Sequence, residues 1–375
     1  MSIFVKESIL NIHSYIPNKS ITWLQKKYGI KNFINLASNE NPYGPSDMVL
    51  DTIKNNLDKI HYFPIEYRFK LKEQICLYHE KNNIFPNNIV LGNGSIELIN
   101  LIIRTFLNNN EILLNSWPSF IYYRLAAKAQ GCPEITVNLD NMNYNLDEMK
   151  NIIDKSYNNS IKLIFIANPN NPTGNYININ KMNDFINKIS EDIIIVIDEA
   201  YSEYVNKIDY STVIDKIKER KNIIVLKSFS KIFGLAGLRI GYAICNSEVA
   251  SILHKVRDKF NVNILAQIAA TAALKDFDHI TKSIAINKKE LLRVTKYINN
   301  IEGIKVYSSV TNFILITVDS NKISIQSMIN FFISNGIIVY PLMNYNLYNS
   351  IRITIGTEQS NNKLLKCINN FINNL

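Results

Sequence analysis

Residues 226–239 read Leu226-Lys227-Ser228-Phe229-Ser230-Lys231-Ile232-Phe233-Gly234-Leu235-Ala236-Gly237-Leu238-Arg239. The stretch leaves an apolar run, Ile223 to Leu226, and then offers two serine hydroxyls, a lysine, small residues and an arginine. A lysine after a strand is ordinarily a solvated surface residue. Once enclosed it loses hydration, its pKa falls toward neutrality, and its amine becomes a nucleophile for an aldehyde. Ser228, Ser230 and Arg239 add the hydroxyl and guanidinium donors that hold a phosphate.

Outward from this stretch, short β-branched runs alternate with helical patterns. Ile89 to Leu91, Ile112 to Leu114, Ile161 to Ala167, Ile193 to Ile197 and Ile223 to Leu226 read as strands. Ser95 to Phe106, Phe120 to Gln130 and Lys181 to Ile189 read as helices between them. This alternation predicts an α/β fold with a mostly parallel central sheet flanked by helices, and such sheets bind ligands at the carboxyl ends of their strands. From about Lys259 the pattern changes to a long helical stretch through Tyr297, followed by strands at Lys305 to Tyr307, Asn312 to Val318 and Ile351 to Ile355. The expected organisation is a large domain over residues 51–260 and a smaller α+β domain over 261–375, to which residues 1–50 contribute an N-terminal arm.

The chain has 375 residues, 47% of them hydrophobic, enough for a large core. Its net charge of +9 is dispersed and interleaved with acids, which describes a solvated basic surface and not a nucleic-acid footprint. No apolar run approaches the length of a membrane span. Cys76, Cys132, Cys245 and Cys367 form neither a C-x-x-C pair nor a metal-ligand spacing, so neither a disulfide framework nor a zinc site is expected, and a reducing, cytoplasmic location fits. The five histidines fall outside every motif and receive no role.

Two further motifs lie at strand ends. Asn168-Pro169-Asn170-Asn171-Pro172-Thr173-Gly174 follows one strand, and Asp198-Glu199-Ala200-Tyr201 ends the next. A proline-stiffened turn explains the first by itself. The second adds a carboxylate able to pair with a cationic ring nitrogen and a phenol able to reach a ring hydroxyl. With Lys231 and the phosphate donors, these groups suggest pyridoxal phosphate.

The three segments resemble the signatures of the fold-type I pyridoxal-phosphate enzymes, in order and spacing. Leu36-Ala37-Ser38-Asn39-Glu40-Asn41-Pro42 and Ile351-Arg352-Ile353-Thr354-Ile355-Gly356-Thr357 further resemble the histidinol-phosphate aminotransferase branch. The resemblance implies that Lys231 bonds to the cofactor and shuttles the substrate proton, and that Asp198 pairs with the ring nitrogen. It implies that Asn171 and Tyr201 hold the ring oxygen and that Phe120 stacks on the ring. The phosphate would rest on Gly94, Ser95 and Ile96 at a helix N-terminus, whose free amides and dipole favour an anion, together with Ser228, Ser230 and Arg239. Arg352 would grip the acidic end of the substrate, with Tyr15, Asn39 and Tyr340 beside it. A homodimer enters by resemblance alone.

Three departures concern the periphery. Tyr340 stands where the branch usually has a second arginine, Phe63 where it has a tyrosine that reaches across the dimer, and Ile96 where an aspartate is common. Ser95-Ile96-Glu97-Leu98-Ile99 resembles the threonine-phosphate decarboxylases of the same superfamily. The expected activity is amino transfer between glutamate and a small phosphorylated keto or amino compound. The alternatives are decarboxylation of an O-phospho amino acid and a non-catalytic pyridoxal-binding protein. A nicotinamide site at Gly92-Asn93-Gly94 is disfavoured because Glu97 replaces the third glycine of that fingerprint.

Overall fold

Thirteen strands carry the fold in a computed structural model that describes residues 5–10, 12, 20–156 and 160–375. In chain order they are β1 (Ile34–Asn35), β2 (Ile89–Gly92), β3 (Ile112–Trp117), β4 (Glu134–Asn138), β5 (Ile161–Ala167), β6 (Ile194–Asp198) and β7 (Ile223–Ser228). They continue as β8 (Gly241–Cys245), β9 (Ile304–Val306), β10 (Phe313–Val318), β11 (Ile337–Ile338), β12 (Tyr340–Pro341) and β13 (Ser350–Thr354).

Seven strands form the large sheet in the order β2-β8-β7-β6-β5-β3-β4. All its pairings are parallel except those of β8, which runs antiparallel to both β2 and β7. Strand alternation divides the apolar residues between two cores. Ile164, Ile166, Ile195, Ile197, Ile223 and Val225 join one face, while Leu163, Phe165, Val196, Ile224 and Leu226 join the other. Both faces are covered, so the central strands read as continuous apolar runs. Each such side chain contributes about 1.5–3 kcal/mol of burial free energy. Because β3, β5, β6 and β7 are parallel, their carboxyl ends, Trp117, Ala167, Asp198 and Ser228, fall along one edge.

A second, four-stranded antiparallel sheet runs β12-β13-β10-β9. Its apolar face packs with residues of the helices Phe277–Asn299, Ile325–Ser334 and Glu358–Ile372 around Ile314, Ile316, Val294, Phe332 and Leu364. The early strand β1 pairs in parallel with β11, which brings residues 36–41 against β13.

The helix expected from Lys259 through Tyr297 is instead two, Ile264–Ala273 and Phe277–Asn299. Asp276 breaks it by capping the second helix, its carboxylate accepting from the His279 amide at 3.0 Å. Two strands of the large sheet, β4 and β8, were not anticipated from the sequence. β4 is an edge strand only five residues long, and β8 opens on Gly241, which carries no strand propensity.

Candidate active site

The edge formed by β3, β5, β6 and β7 gathers the sequence motifs. Asp198 is the last residue of β6 and is buried. Its Oδ2 accepts from the Tyr123 hydroxyl at 2.7 Å and its Oδ1 from the Ala200 amide at 3.1 Å. Burial pushes its pKa above the usual carboxylate value, and these two bonds work against that rise. The half-buried Lys231 lies beyond the end of β7, its Nζ donating to the Ser38 carbonyl at 3.2 Å and standing 5.4 Å from the centre of the Tyr201 ring. Tyr201 is buried, and its hydroxyl accepts from Asn39 Nδ2 at 2.9 Å. Asn39 adopts a left-handed backbone conformation, φ 55°, and is fixed by Thr354, whose Oγ accepts from the Asn39 amide at 2.9 Å.

Arg352 lies two residues before Thr354 on β13 and is also buried. It donates to Asn171 Oδ1 and, at 2.6 Å, to the Ala37 carbonyl. Its guanidinium carbon is 4.6 Å from the Tyr340 ring centre and 5.4 Å from that of Phe313. Among the described residues no carboxylate pairs with it, and its buried Nε has no partner. A buried cation without an anion is costly, so the site is built to receive one.

The third group sits where β7, β8 and β2 meet. Ser228 pairs with Gly241, and Gly241 with Gly92, which carries the chain to Gly94 and the helix Ser95–Phe106. No side chain caps this helix. Gly94 has φ 79°, and a Cβ there would lie 2.5 Å from an Arg239 nitrogen. A Cβ on Gly241 would approach the Ser95 amide nitrogen to 3.1 Å. Glycine at both positions therefore lets Arg239 and the sheet close on the helix N-terminus. Ser228 and Ser230 are buried, with Ser228 Oγ accepting the Ser230 amide at 3.1 Å; Ile96 is half-buried in the first turn. Arg239 is exposed and donates to the Ala236 carbonyl at 3.0 Å.

Phe120 is half-buried and meets Tyr123 edge-on at 5.5 Å between ring centres, which sets it beside the residue that holds Asp198. Tyr15 lies outside the described residues. Among groups the sequence reading missed, Tyr123 lies in a stretch, Phe120 to Gln130, that was read only as a helix. A buried ion cluster of Lys227, Glu199 and Glu203 was missed as well. Glu199 and Lys227 each sit next in sequence to a motif residue, but only the fold shows that they meet.

The sequence profile of aminotransferase class I and II matches residues 31–368. The chain belongs to this family. A histidinol-phosphate aminotransferase of Caldicellulosiruptor saccharolyticus is 37% identical over 363 residues, covering 97% of this chain and 98% of the relative. Two solved structures share the fold of this aminotransferase. One is a histidinol-phosphate aminotransferase from Sinorhizobium meliloti in complex with pyridoxal-5'-phosphate, with TM-score 0.88, 22% identity and coverage of 99% of this chain and 98% of that one. The other is an L-threonine-O-3-phosphate decarboxylase from Porphyromonas gingivalis, with TM-score 0.77, 21% identity and coverage of 91% and 99%.

The residues present fit pyridoxal phosphate, the group bound in the Sinorhizobium meliloti structure. An uncapped helix N-terminus beside an arginine and two serines matches a phosphate. A buried carboxylate that has no cation at hydrogen-bond range among the described residues matches a ring nitrogen, and a lysine at the strand edge matches an aldehyde.

Proposed function

We propose that this aminotransferase moves an amino group between glutamate and a small phosphorylated compound of the histidinol phosphate kind. Arg352 carries the reading: among the described residues its buried guanidinium has no carboxylate partner and its Nε is unbonded, and it is joined through Asn171 to the strand edge that also bears Asp198. The full-length likeness to the Caldicellulosiruptor relative supports the substrate class.

Pyridoxal phosphate, when bound, supplies an aldehyde that takes up the amino group and a ring that accepts electrons from the substrate α-carbon. Lys231 would hold the cofactor through Nζ and would carry the proton that leaves the substrate α-carbon. Asp198 would keep the ring nitrogen protonated, with Tyr123 fixing the carboxylate's direction. Asn171 and Tyr201 would hold the ring oxygen, and Phe120 would cover one face. Gly94, Ser95 and Ile96 would offer backbone amides to the phosphate, with Ser228, Ser230 and Arg239 as side-chain donors. Asn39 and Arg352 would orient the substrate. Tyr340, whose ring covers the Arg352 guanidinium, would shape the pocket without adding a second cation.

A homodimer fits the exposed run Ile60, Tyr62, Phe63, Ile65 and Phe69, where Phe63 stacks on Phe260 at 4.6 Å. Among the described residues no helix is long and apolar enough to cross a membrane. Four free cysteines suit a reducing cytoplasm.

The test is spectroscopic. Histidinol phosphate should convert the cofactor-loaded enzyme's absorbance from the aldehyde-derived to the amine form, and 2-oxoglutarate should reverse the change. Carbon dioxide release from phosphothreonine or phosphoserine, with no need for 2-oxoglutarate, would replace this reading with the decarboxylase.

A further inference from the structure

Directly behind the strand ends that carry Asp198 and Ser228 lies a cluster of buried charges for which the reaction has no evident use. Lys227 Nζ is 2.9 Å from Glu199 Oε2 and 3.3 Å from Glu203 Oε1, and donates to Ser202 Oγ at 2.6 Å. The Lys227 and Glu199 side chains are 6% and 1% exposed and that of Glu203 is 9% exposed, so water does not screen them. Glu199 Oε1 is held in turn by the Thr212 hydroxyl at 3.0 Å and the Val213 amide at 3.1 Å.

The placement is what distinguishes this cluster from an ordinary structural ion pair. Glu199 follows Asp198 and Lys227 precedes Ser228, so each half of the pair is covalently adjacent to a group proposed to hold the cofactor. The backbones are tied at the same level, the Glu199 amide donating to the Leu226 carbonyl at 2.9 Å. Two carboxylates face one ammonium, which leaves the enclosed cluster with an excess negative charge when all three ionise. That charge reaches Asp198, whose pKa Glu199 helps to raise, although burial is the larger cause. Lys227 remains protonated, because Glu199 and Glu203 together outweigh the burial that opposes its charge.

We propose that Lys227 is a positioning residue: by binding Glu199 and Glu203 it fixes the β6 and β7 ends that carry Asp198 and Ser228, and sets the charge felt at the cofactor ring. The inference rests on the proposed pairing of Asp198 with the ring nitrogen. Around the cluster stand Tyr78 and His79 from the end of the helix Tyr67–Tyr78, Tyr242 from β8, and Tyr204 and Tyr210 from the segment after β6. These are phenols with raised pKa values and an imidazole pushed down to about 3 by burial first and Lys227 second, so none changes charge near neutrality. Tyr123, Tyr144 and Lys231 are further ionisable groups that act on or feel Asp198. Glu199, Glu203 and Lys227 are therefore the charges available to tune Asp198 from behind.

The experiment is a pH titration of the visible absorbance of the cofactor-loaded enzyme, with folding checked by circular dichroism at each pH. Removing the buried cation in Lys227→Met makes the site more negative, which favours protonated forms and should raise the midpoint by about one pH unit. Lys227→Arg keeps the charge and should restore the wild-type midpoint. Glu203→Gln removes a buried anion while leaving the Lys227–Glu199 pair, and should move the midpoint down. An unchanged midpoint in folded Lys227→Met, or a Lys227→Arg curve indistinguishable from it, would overturn the proposal. If Lys227→Met does not fold, Glu203→Gln decides: a downward shift supports the proposal and an unmoved midpoint overturns it. Asp198→Asn separates the two layers of inference. A wild-type midpoint there removes Asp198 from the ring nitrogen, whereas a shift there without one at Lys227 removes only the positioning role.

Discussion

Arg352 on β13 donates to Oδ1 of Asn171 in the loop after β5, joining the small sheet's proposed substrate anchor to the large sheet's proposed cofactor ligand. The bond spans 181 positions of sequence, and both partners are buried. The two proposed roles, substrate grip and ring contact, are therefore joined by one hydrogen bond.

That bond separates two substitutions. Arg352→Lys keeps a cation but loses the bidentate fork, so kcat/KM should fall by about one to two decades, equivalent to about 1.5–3 kcal/mol. The visible spectrum should stay near wild type. Arg352→Ala should lose as much activity and also move the absorbance maximum, because Asn171 is left without its partner. Steady-state kinetics with spectra of both variants check this.

Lys231→Ala should abolish turnover yet retain pyridoxal phosphate non-covalently, since the helix N-terminus, Arg239 and the two serines do not depend on the lysine. Borohydride reduction followed by mass spectrometry should leave the variant unlabelled and label the wild type. Turnover surviving in Lys231→Ala would remove that residue from the mechanism.

Asp198→Asn probes a buried acid whose pKa is raised on folding. The folded apoenzyme holds this proton more tightly than the unfolded chain. The resulting stabilisation is full below the ordinary carboxylate value of 3.8 and disappears as pH rises through the raised folded value. At neutral pH the ionised, buried carboxylate is thus a cost to the apoenzyme. Asp198→Asn should raise the apoenzyme's Tm at pH 7 while weakening cofactor retention, with thermal melts and dialysis against buffer as the two readouts.

His79 gives the opposite sign. Its imidazole is buried, bonds the Tyr242 hydroxyl at 2.9 Å, and titrates near 3 instead of 6.5, with burial as the main cause. A depressed histidine contributes stability above the unfolded pKa that is lost as pH falls through 6.5 toward 3. Between those limits the loss should approach about 1.4 kcal/mol per pH unit for this one group. Urea melts across this range should show a shallower slope in His79→Gln.

Phe63 is 70% exposed in the single chain. Phe63→Glu should weaken association if the Ile60 to Phe69 segment is the dimer face, and sedimentation should then show monomer at concentrations where the wild type is dimeric. An unchanged sedimentation profile would move the interface elsewhere.

The large sheet was legible because its parallel strands are buried on both faces and so appear as uninterrupted runs such as Ile161 to Ala167. Helix Ser95–Phe106 was legible to the residue, since Gly94 marks its start and its apolar face repeats at helical spacing. The edge strand β4 and the glycine-led β8 escaped because Glu134, Thr136 and Asn138 break up the apolar run of the one and Gly241 and Ala243 that of the other, so neither shows the unbroken apolar run of β5. The helix through Leu274 to Asp276 was over-read because periodicity continues across a break made by one capping carboxylate.

Residue chemistry along the chain was enough to suggest Lys231, Asp198 and Tyr201, with Ser228, Ser230 and Arg239 as phosphate donors, as one candidate site near predicted strand ends, and the resemblance to the fold-type I enzymes added Asn171. Distances between elements that are remote in sequence belong to the tertiary structure alone. Tyr123 beneath Asp198, Asn39 on Tyr201, Asn171 under Arg352, and Lys227 locked to Glu199 are contacts across packed layers. Local propensity carries no record of such contacts. They depend on which faces the sheet and helices bury against each other, and that is decided only when the whole core closes.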